Sequence, residues 1–257
     1  MKKRPPKQQL LQIHGRLDEH LTYLNLVQMA ERYPALATTA ADKGWSHIDY
    51  LAALLEAEVD AKKDRATQRR ISLARFPVIK TRDQFDWSWP DKINRPQVEN
   101  LFHLDFIKNN ANVIFLGGVG LGKTHLAIAL AYQACLEGAS VLFATAIDVV
   151  NNLAAAQAAG RFSQELKKYL KPRLLILDEL GYLPIDKHGA DLLFQVISHR
   201  YEHGAMLIST NRAYKHWPEI FNNDATLTSA ILDRLLHHAE SVLIEGRSFR
   251  MKDVIDN

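Results

Sequence analysis

The sequence predicts an α/β protein: a parallel five-stranded sheet flanked by helices, preceded by a small all-helical domain. Three observations carry this expectation. Short apolar runs of strand length recur at 112–116, 140–144, 174–177, 206–210 and 242–244. Helical patterns separate them, and strands alternating with helices make a parallel sheet covered on both faces. Ahead of residue 76, strand-like runs of β-branched residues are absent, and apolar residues recur at three- and four-residue steps.

In chain order, 8–75 reads as helical, with Leu17, Leu21 and Leu24, then Leu51, Leu54, Leu55 and Val59, as apolar stripes. Gly44 stops one helix, and Ser46 caps the next, expected to start at Ile48. A charge-dense helix ends near Pro77. Pro77, Pro90 and Pro96 then punctuate a segment holding Phe85, Trp87 and Trp89. The two tryptophans read either as a cover for a ligand's ring or as packing between helix and core. The expected domains are therefore 1–76, helical and suited to partner or DNA interaction or oligomerisation; 77–100, a connection; and 101–257, the α/β core. Within the core, the helix after Thr124 is apolar almost all round (Leu126, Ile128, Leu130), as befits packing on a sheet, and stops at Gly138. A single helical stretch is expected at 147–170.

Composition narrows the class. Of 257 residues, 47% are apolar and 24% charged, ordinary for a globular protein. No apolar run approaches the ~20 residues that a bilayer requires, so no membrane partner is expected. The basic, proline-containing start at 1–7 is not followed by the apolar stretch of a secretory signal. One cysteine, Cys135, excludes an intramolecular disulfide, fits a reducing compartment and reads as packing against the sheet. A cytoplasmic location follows as an expectation. Over 1–82 fifteen Lys and Arg stand against nine Asp and Glu, whereas the remainder carries seventeen against twenty. The basic excess fits an anionic partner or, equally, a solvated helical surface.

The residues that carry chemistry begin at Gly117-Gly118-Val119-Gly120-Leu121-Gly122-Lys123-Thr124, which fits G-x-x-x-x-G-K-[ST] between a strand and a helix. Glycines let the backbone wrap around phosphate, and N–H groups at the helix start point at the anion. Lys123 supplies a positive charge for the β- and γ-phosphates, and Thr124 a hydroxyl for Mg²⁺. With His125, these are the candidate ATP-binding residues. Asp178-Glu179 closes the strand at 174–177. Carboxylates there are costly to bury unless something needs them. The first suits Mg²⁺, the second the attacking water. Asn211, after the next strand, would sit beside them and position that water. Arg234 and Arg250 read either as groups that neutralise γ-phosphate charge, one from a neighbouring subunit, or as surface ion-pair formers. His237-His238 shows no metal-ligand partner pattern and reads as decoration of a helix.

Two basic groups stand out. Lys62, Lys63, Arg65, Arg69, Arg70 and Arg75 lie in one expected helix, with Lys62, Arg65 and Arg69 on one face. Arg161, Lys167, Lys168, Lys171 and Arg173 fall between the second and third strands. Either group would bind nucleic-acid phosphate without base readout, in a salt-dependent way, or serve as a solvated helix face.

These residues resemble the AAA+ branch of replication initiators and helicase loaders and, more narrowly, the IstB-like ATP-binding helpers of insertion-sequence transposases. The resemblance runs through Leu54-Leu55-Glu56-Ala57-Glu58, Ala74-Arg75-Phe76-Pro77, Phe85 and Asn112. It continues through Gly122-Lys123-Thr124-His125-Leu126-Ala127, Leu177-Asp178-Glu179-Leu180-Gly181-Tyr182 and Ser209-Thr210-Asn211. It ends with Ile231-Leu232-Asp233-Arg234-Leu235 and Gly246-Arg247-Ser248-Phe249-Arg250. It implies an ATPase that forms homo-oligomers through ATP-bridged interfaces on duplex DNA and recruits or stimulates a cognate transposase. A replicative helicase loader is the alternative it leaves open. Arg234 would match the arginine finger, and Arg250 the second sensor arginine. Phe249 stands where the family usually has tyrosine. In related loaders the insertion matching 161–173 faces nucleic acid. Forty-six residues after Asn211 leave little room for a separate helical lid.

Overall fold

The computed structural model describes residues 7–251, so the basic segment at 1–6 lies outside the described residues. The chain forms two compact units, Met1–Gln68 and Arg69–Asn257.

The first unit holds helices α1 (Lys7–Tyr23), α2 (Val27–Lys43) and most of α3 (His47–Ala74). Gly44 ends α2 in the left-handed region at φ +64°, which a glycine adopts without strain. Ser46 and Asp49 then cap α3 reciprocally: Ser46 Oγ accepts from Asp49 N at 3.1 Å, and Asp49 Oδ2 from Ser46 N at 3.1 Å. The start of α2 has no side-chain cap of its own at Leu26. Glu58, 2% exposed on α3, supplies it, accepting from Gln28 N at 2.8 Å and Met29 N at 3.3 Å. The helical period is as expected, but burial is not. Leu54 is buried, whereas Leu17, Leu24, Leu51, Leu55 and Val59 remain exposed.

The second unit begins inside α3, because Ala74 and Ile71 pack into its core. A 3-10 turn (Arg82–Gln84), β1 (Lys92–Ile93), α4 (Arg95–Leu101) and α5 (Asp105–Lys108) lead to β2 (Asn112–Gly117) and α6 (Lys123–Leu136). Then come β3 (Val141–Thr145), α7 (Ala146–Ala158), α8 (Phe162–Leu170), β4 (Leu174–Leu180), α9 (Lys187–Arg200) and β5 (Ala205–Thr210). A 3-10 turn (Tyr214–Glu219), α10 (Ala225–Leu236), β6 (Ala239–Glu245) and a last 3-10 turn (Phe249–Met251) complete it. The sheet order is β1-β6-β2-β5-β4-β3. All five expected strands are present and mutually parallel. A sixth, β1, pairs antiparallel with β6 through only Lys92 and Ile93, too short to show a period in sequence. The helix expected at 147–170 is two, broken at Gly160, whose φ of +67° ends α7.

Alternate strand residues enter opposite cores, which is why the strands read as unbroken apolar runs. Ile114, Leu116, Leu175 and Leu177 face one core; Val113, Phe115, Leu174 and Ile176 face the other. Arg200, 1% exposed at the end of α9, clasps the chain entering β4 and β5. Its guanidinium donates to the carbonyls of Tyr169 (2.8 Å), Pro172 (2.9 Å), Arg173 (3.2 Å) and Ala205 (2.6 Å).

A candidate nucleotide site at the carboxyl ends of the strands

Parallel pairing brings the carboxyl ends of β2, β5 and β4 side by side, the crevice where open α/β sheets hold ligands. A cavity of about 450 Å³ opens there, lined by the turn at 119–122, Lys123, Thr124, Glu179, Asn211 and Arg250 among others.

The turn's glycines are required by their neighbours. A Cβ on Gly117 would lie 2.3 Å from Ile244 O. At Gly120 (φ +75°) it would meet Ser248 Oγ at 2.1 Å, and at Gly122 (φ +83°) Phe85 Cε2 at 2.5 Å. Lys123 Nζ donates to Gly117 O (2.8 Å) and Gly118 O (2.6 Å), which holds the ammonium inside the cradle. Burial lowers its pKa, opposed by the negative charges of Asp178 and Glu179 and assisted by Arg250. Thr124 Oγ1 donates to Asp178 at 3.0 and 3.1 Å. A hydroxyl and a carboxylate are the hard oxygen donors that Mg²⁺ prefers, so this pair fits the ion.

Asp178 is 3% exposed and Glu179 is exposed, although they are adjacent. The β4–β5 register shifts between Leu177 and Leu180, and Glu179 has φ +58°. This irregularity turns the glutamate into the cavity while its neighbour stays beneath the glycine-rich turn. Ser209, missed as a site residue, links the two acids: its Oγ donates to Asp178 Oδ1 and accepts from Glu179 N at 2.9 Å. Its signals in the sequence were its place on the strand before Asn211 and its presence in the Ser209-Thr210-Asn211 block.

The connecting segment contributes apolar walls. Phe85 packs edge-on against His125, whose Nε2–H donates to Thr81 O at 2.9 Å; burial depresses the imidazole's pKa. The two tryptophans differ in place. Trp87 packs against Phe85 and under the Arg95 guanidinium, whereas Trp89 lines the cavity and meets Phe249 edge-on. Trp89 Nε1 donates to Arg247 O at 2.9 Å, and Phe249 N to Gly120 O at 2.9 Å, so the carboxyl-terminal segment is tied to the glycine-rich turn.

Of the two arginines, Arg250 lines the cavity in its own chain. Arg234 does not; on α10 it donates to Ala230 O at 2.9 Å and stacks over Phe194 at 5.0 Å. Among the basic residues, Lys62, Lys63, Arg65, Arg69, Arg161, Lys167, Lys168, Lys171 and Arg173 are exposed. Arg65 pairs with buried Glu58 at 3.1 Å and Lys168 with Glu165, while Arg70 donates to Cys135 O at 2.9 Å. The Cys135 thiol is itself buried and its pKa pushed up to about 11.

Fold and site together define a P-loop nucleotide-binding protein. The family described as "IstB-like ATP binding protein" matches residues 19–256, and the chain belongs to it. It is 40% identical over 238 residues to an ATP-binding protein of insertion sequence IS5376 from Geobacillus stearothermophilus, covering 93% of this chain and 94% of that one. To the corresponding protein of insertion sequence IS21 from Pseudomonas aeruginosa it is 36% identical, with 92% and 89% covered. Among solved structures, the DnaC helicase loader superposes with TM-score 0.53 at 21% identity over 64% of this chain and 96% of that one. DnaI gives 0.56 at 17% identity over 67% and 93%. At such identity these two speak for the fold alone.

Proposed function

We propose that the chain is a cytoplasmic ATPase that assembles on duplex DNA as a homo-oligomer and recruits or stimulates the transposase of its insertion sequence. One observation carries this reading: Thr124, Asp178 and Ser209 form a bonded set beneath the glycine-rich turn, with Glu179 and Arg250 in the same cavity. A triphosphate would rest on the backbone N–H groups leading into α6, with Lys123 beside its β- and γ-phosphates. Thr124 and Asp178 would hold Mg²⁺, which when bound neutralises phosphate charge. Glu179 orients the attacking water and takes its proton, and Asn211 positions that water. Arg250 supplies positive charge within the chain. Arg234, which does not line its own chain's cavity, would act on a neighbouring copy's nucleotide and so make turnover depend on assembly.

Support for DNA binding comes from the exposed lysines and arginines of α3 and of the α8–β4 region. The transposition role rests on relatives matched over nearly their whole length that are described as insertion-sequence proteins. The test combines turnover with competition binding. Wild-type ATPase activity should rise with duplex DNA, and Glu179→Gln should lower turnover by roughly 10²–10⁴ while retaining ATP. Unchanged turnover in Glu179→Gln removes that residue from the mechanism. Preference for single-stranded over duplex DNA favours the helicase-loader reading instead.

A further inference from the structure

Away from the nucleotide site, two turns converge at the opposite, amino-terminal end of the parallel strands. One follows α9 and carries Glu202 into β5; the other follows α10 and carries His237 and His238 into β6. Both precede their strands, whereas the glycine-rich turn and Asp178 lie at the carboxyl ends. We propose that Glu202, His237 and His238 form a binding site for a divalent transition metal, zinc in particular.

The geometry of the three side chains carries the proposal. One ligand atom from each lies within 4.8 Å of the others, and all three residues are exposed. Four-coordinate zinc with bonds of ~2.0–2.1 Å sets its ligand atoms roughly 3.4 Å apart. Closing the difference takes shifts of about 1.5 Å, within reach of side-chain rotation at exposed positions. The backbones beneath are already fixed against one another by a single turn. Asn110 Nδ2 donates to Glu202 O at 3.0 Å, and Asn112 N donates to His238 O at 2.7 Å. Asn112 Nδ2 also holds Leu235 O at 3.0 Å, in the last turn of α10.

Chemistry and electrostatics agree with a cation. Two imidazoles and one carboxylate are a zinc donor set that leaves a fourth position for water. The Tyr201 hydroxyl is 2.8 Å from His237 Nδ1, an outer partner that orients the ring. His237 caps the carboxyl end of α10, where the helix dipole favours positive charge. A metal here would clamp α10, one turn after Arg234, to the turn that begins β5.

The experiment uses the full chain without a histidine tag, stripped of metal and nucleotide. Zinc is titrated calorimetrically, and cobalt(II) is followed by its visible absorption. One metal per chain with micromolar affinity is expected, together with the strong absorption of low-coordinate cobalt. Glu202→Gln and His238→Asn should each weaken binding at least about tenfold, the loss that even outer-shell changes cause. Asp178→Asn should leave this binding unchanged. The metal-free melting temperature should be preserved in both ligand variants, since the residues are exposed; His237→Asn replaces either one if it fails to fold. Absence of saturable binding, or affinity unaltered in both ligand variants, overturns the proposal.

Discussion

Replacing Ser209 with alanine removes the bridge between the two acids without touching either. Ser209 is 1% exposed, and its hydroxyl makes two bonds, one to the Asp178 carboxylate and one from Glu179 N. A hydrogen bond to a charged group contributes about 1.5–3 kcal/mol and a neutral one about 0.5–1.5 kcal/mol. The variant should therefore lose about 2–4 kcal/mol of stability, or roughly 4–16 °C in melting temperature for a unit of this size. Function should suffer separately, because the Glu179 N–H bond helps hold that residue in its φ +58° conformation. If about 1–2 kcal/mol of this anchoring is realised only at the transition state, kcat falls roughly 5–30-fold. Asp178, left with its bond from Thr124, should require more Mg²⁺ for half-maximal rate. Thermal unfolding without nucleotide and ATPase rate against Mg²⁺ concentration measure the two effects, and Ser209→Thr should restore both by keeping the hydroxyl. A Ser209→Ala protein with wild-type melting and wild-type Mg²⁺ dependence would refute the assigned bridge.

Two further outcomes follow from the buried groups. Arg200→Met strips the carbonyls of residues 169–173 and 205 of a charged donor; burial leaves Arg200 a pKa of about 10, so it is charged at neutral pH. The loss should be about 3–5 kcal/mol, read by denaturant unfolding, and a change below about 1 kcal/mol would deny it the clasp. His125 is depressed below its ordinary 6.5, so in the window from 6.5 down to its folded pKa the unfolded chain binds the extra proton. Stability should thus fall on acidification through that window and level off below it. His125→Gln should flatten this part of the profile, and an unchanged slope would exclude His125 as its source.

Local pattern made much of this protein legible. Apolar runs bounded by turn residues located the five parallel strands, and Gly44 followed by Ser46 announced the start of α3. The motif from Gly117 to Thr124 marked the glycine-rich turn between β2 and α6, and Asp178 lies bonded to Thr124 although fifty-four positions further along the chain. The two-residue β1 escaped because its only support is pairing with β6. The apolar stripes of the first unit showed the helical period, but period reports which residues share a face and not whether anything covers that face.

What the sequence by itself determined was the order of the five parallel strands, the glycine-rich turn and the chemical types brought to it, since these depend on residues adjacent or nearly adjacent in the chain. Tertiary structure alone decided which distant groups meet: Ser209 between the two acids, Trp89 and Phe249 against the glycine-rich turn, and Glu202 beside His237 and His238. The reason is physical. Helical and strand periods are set by backbone geometry within a few residues, whereas strand order and register, which local pattern does not encode, set the approach of one turn to another.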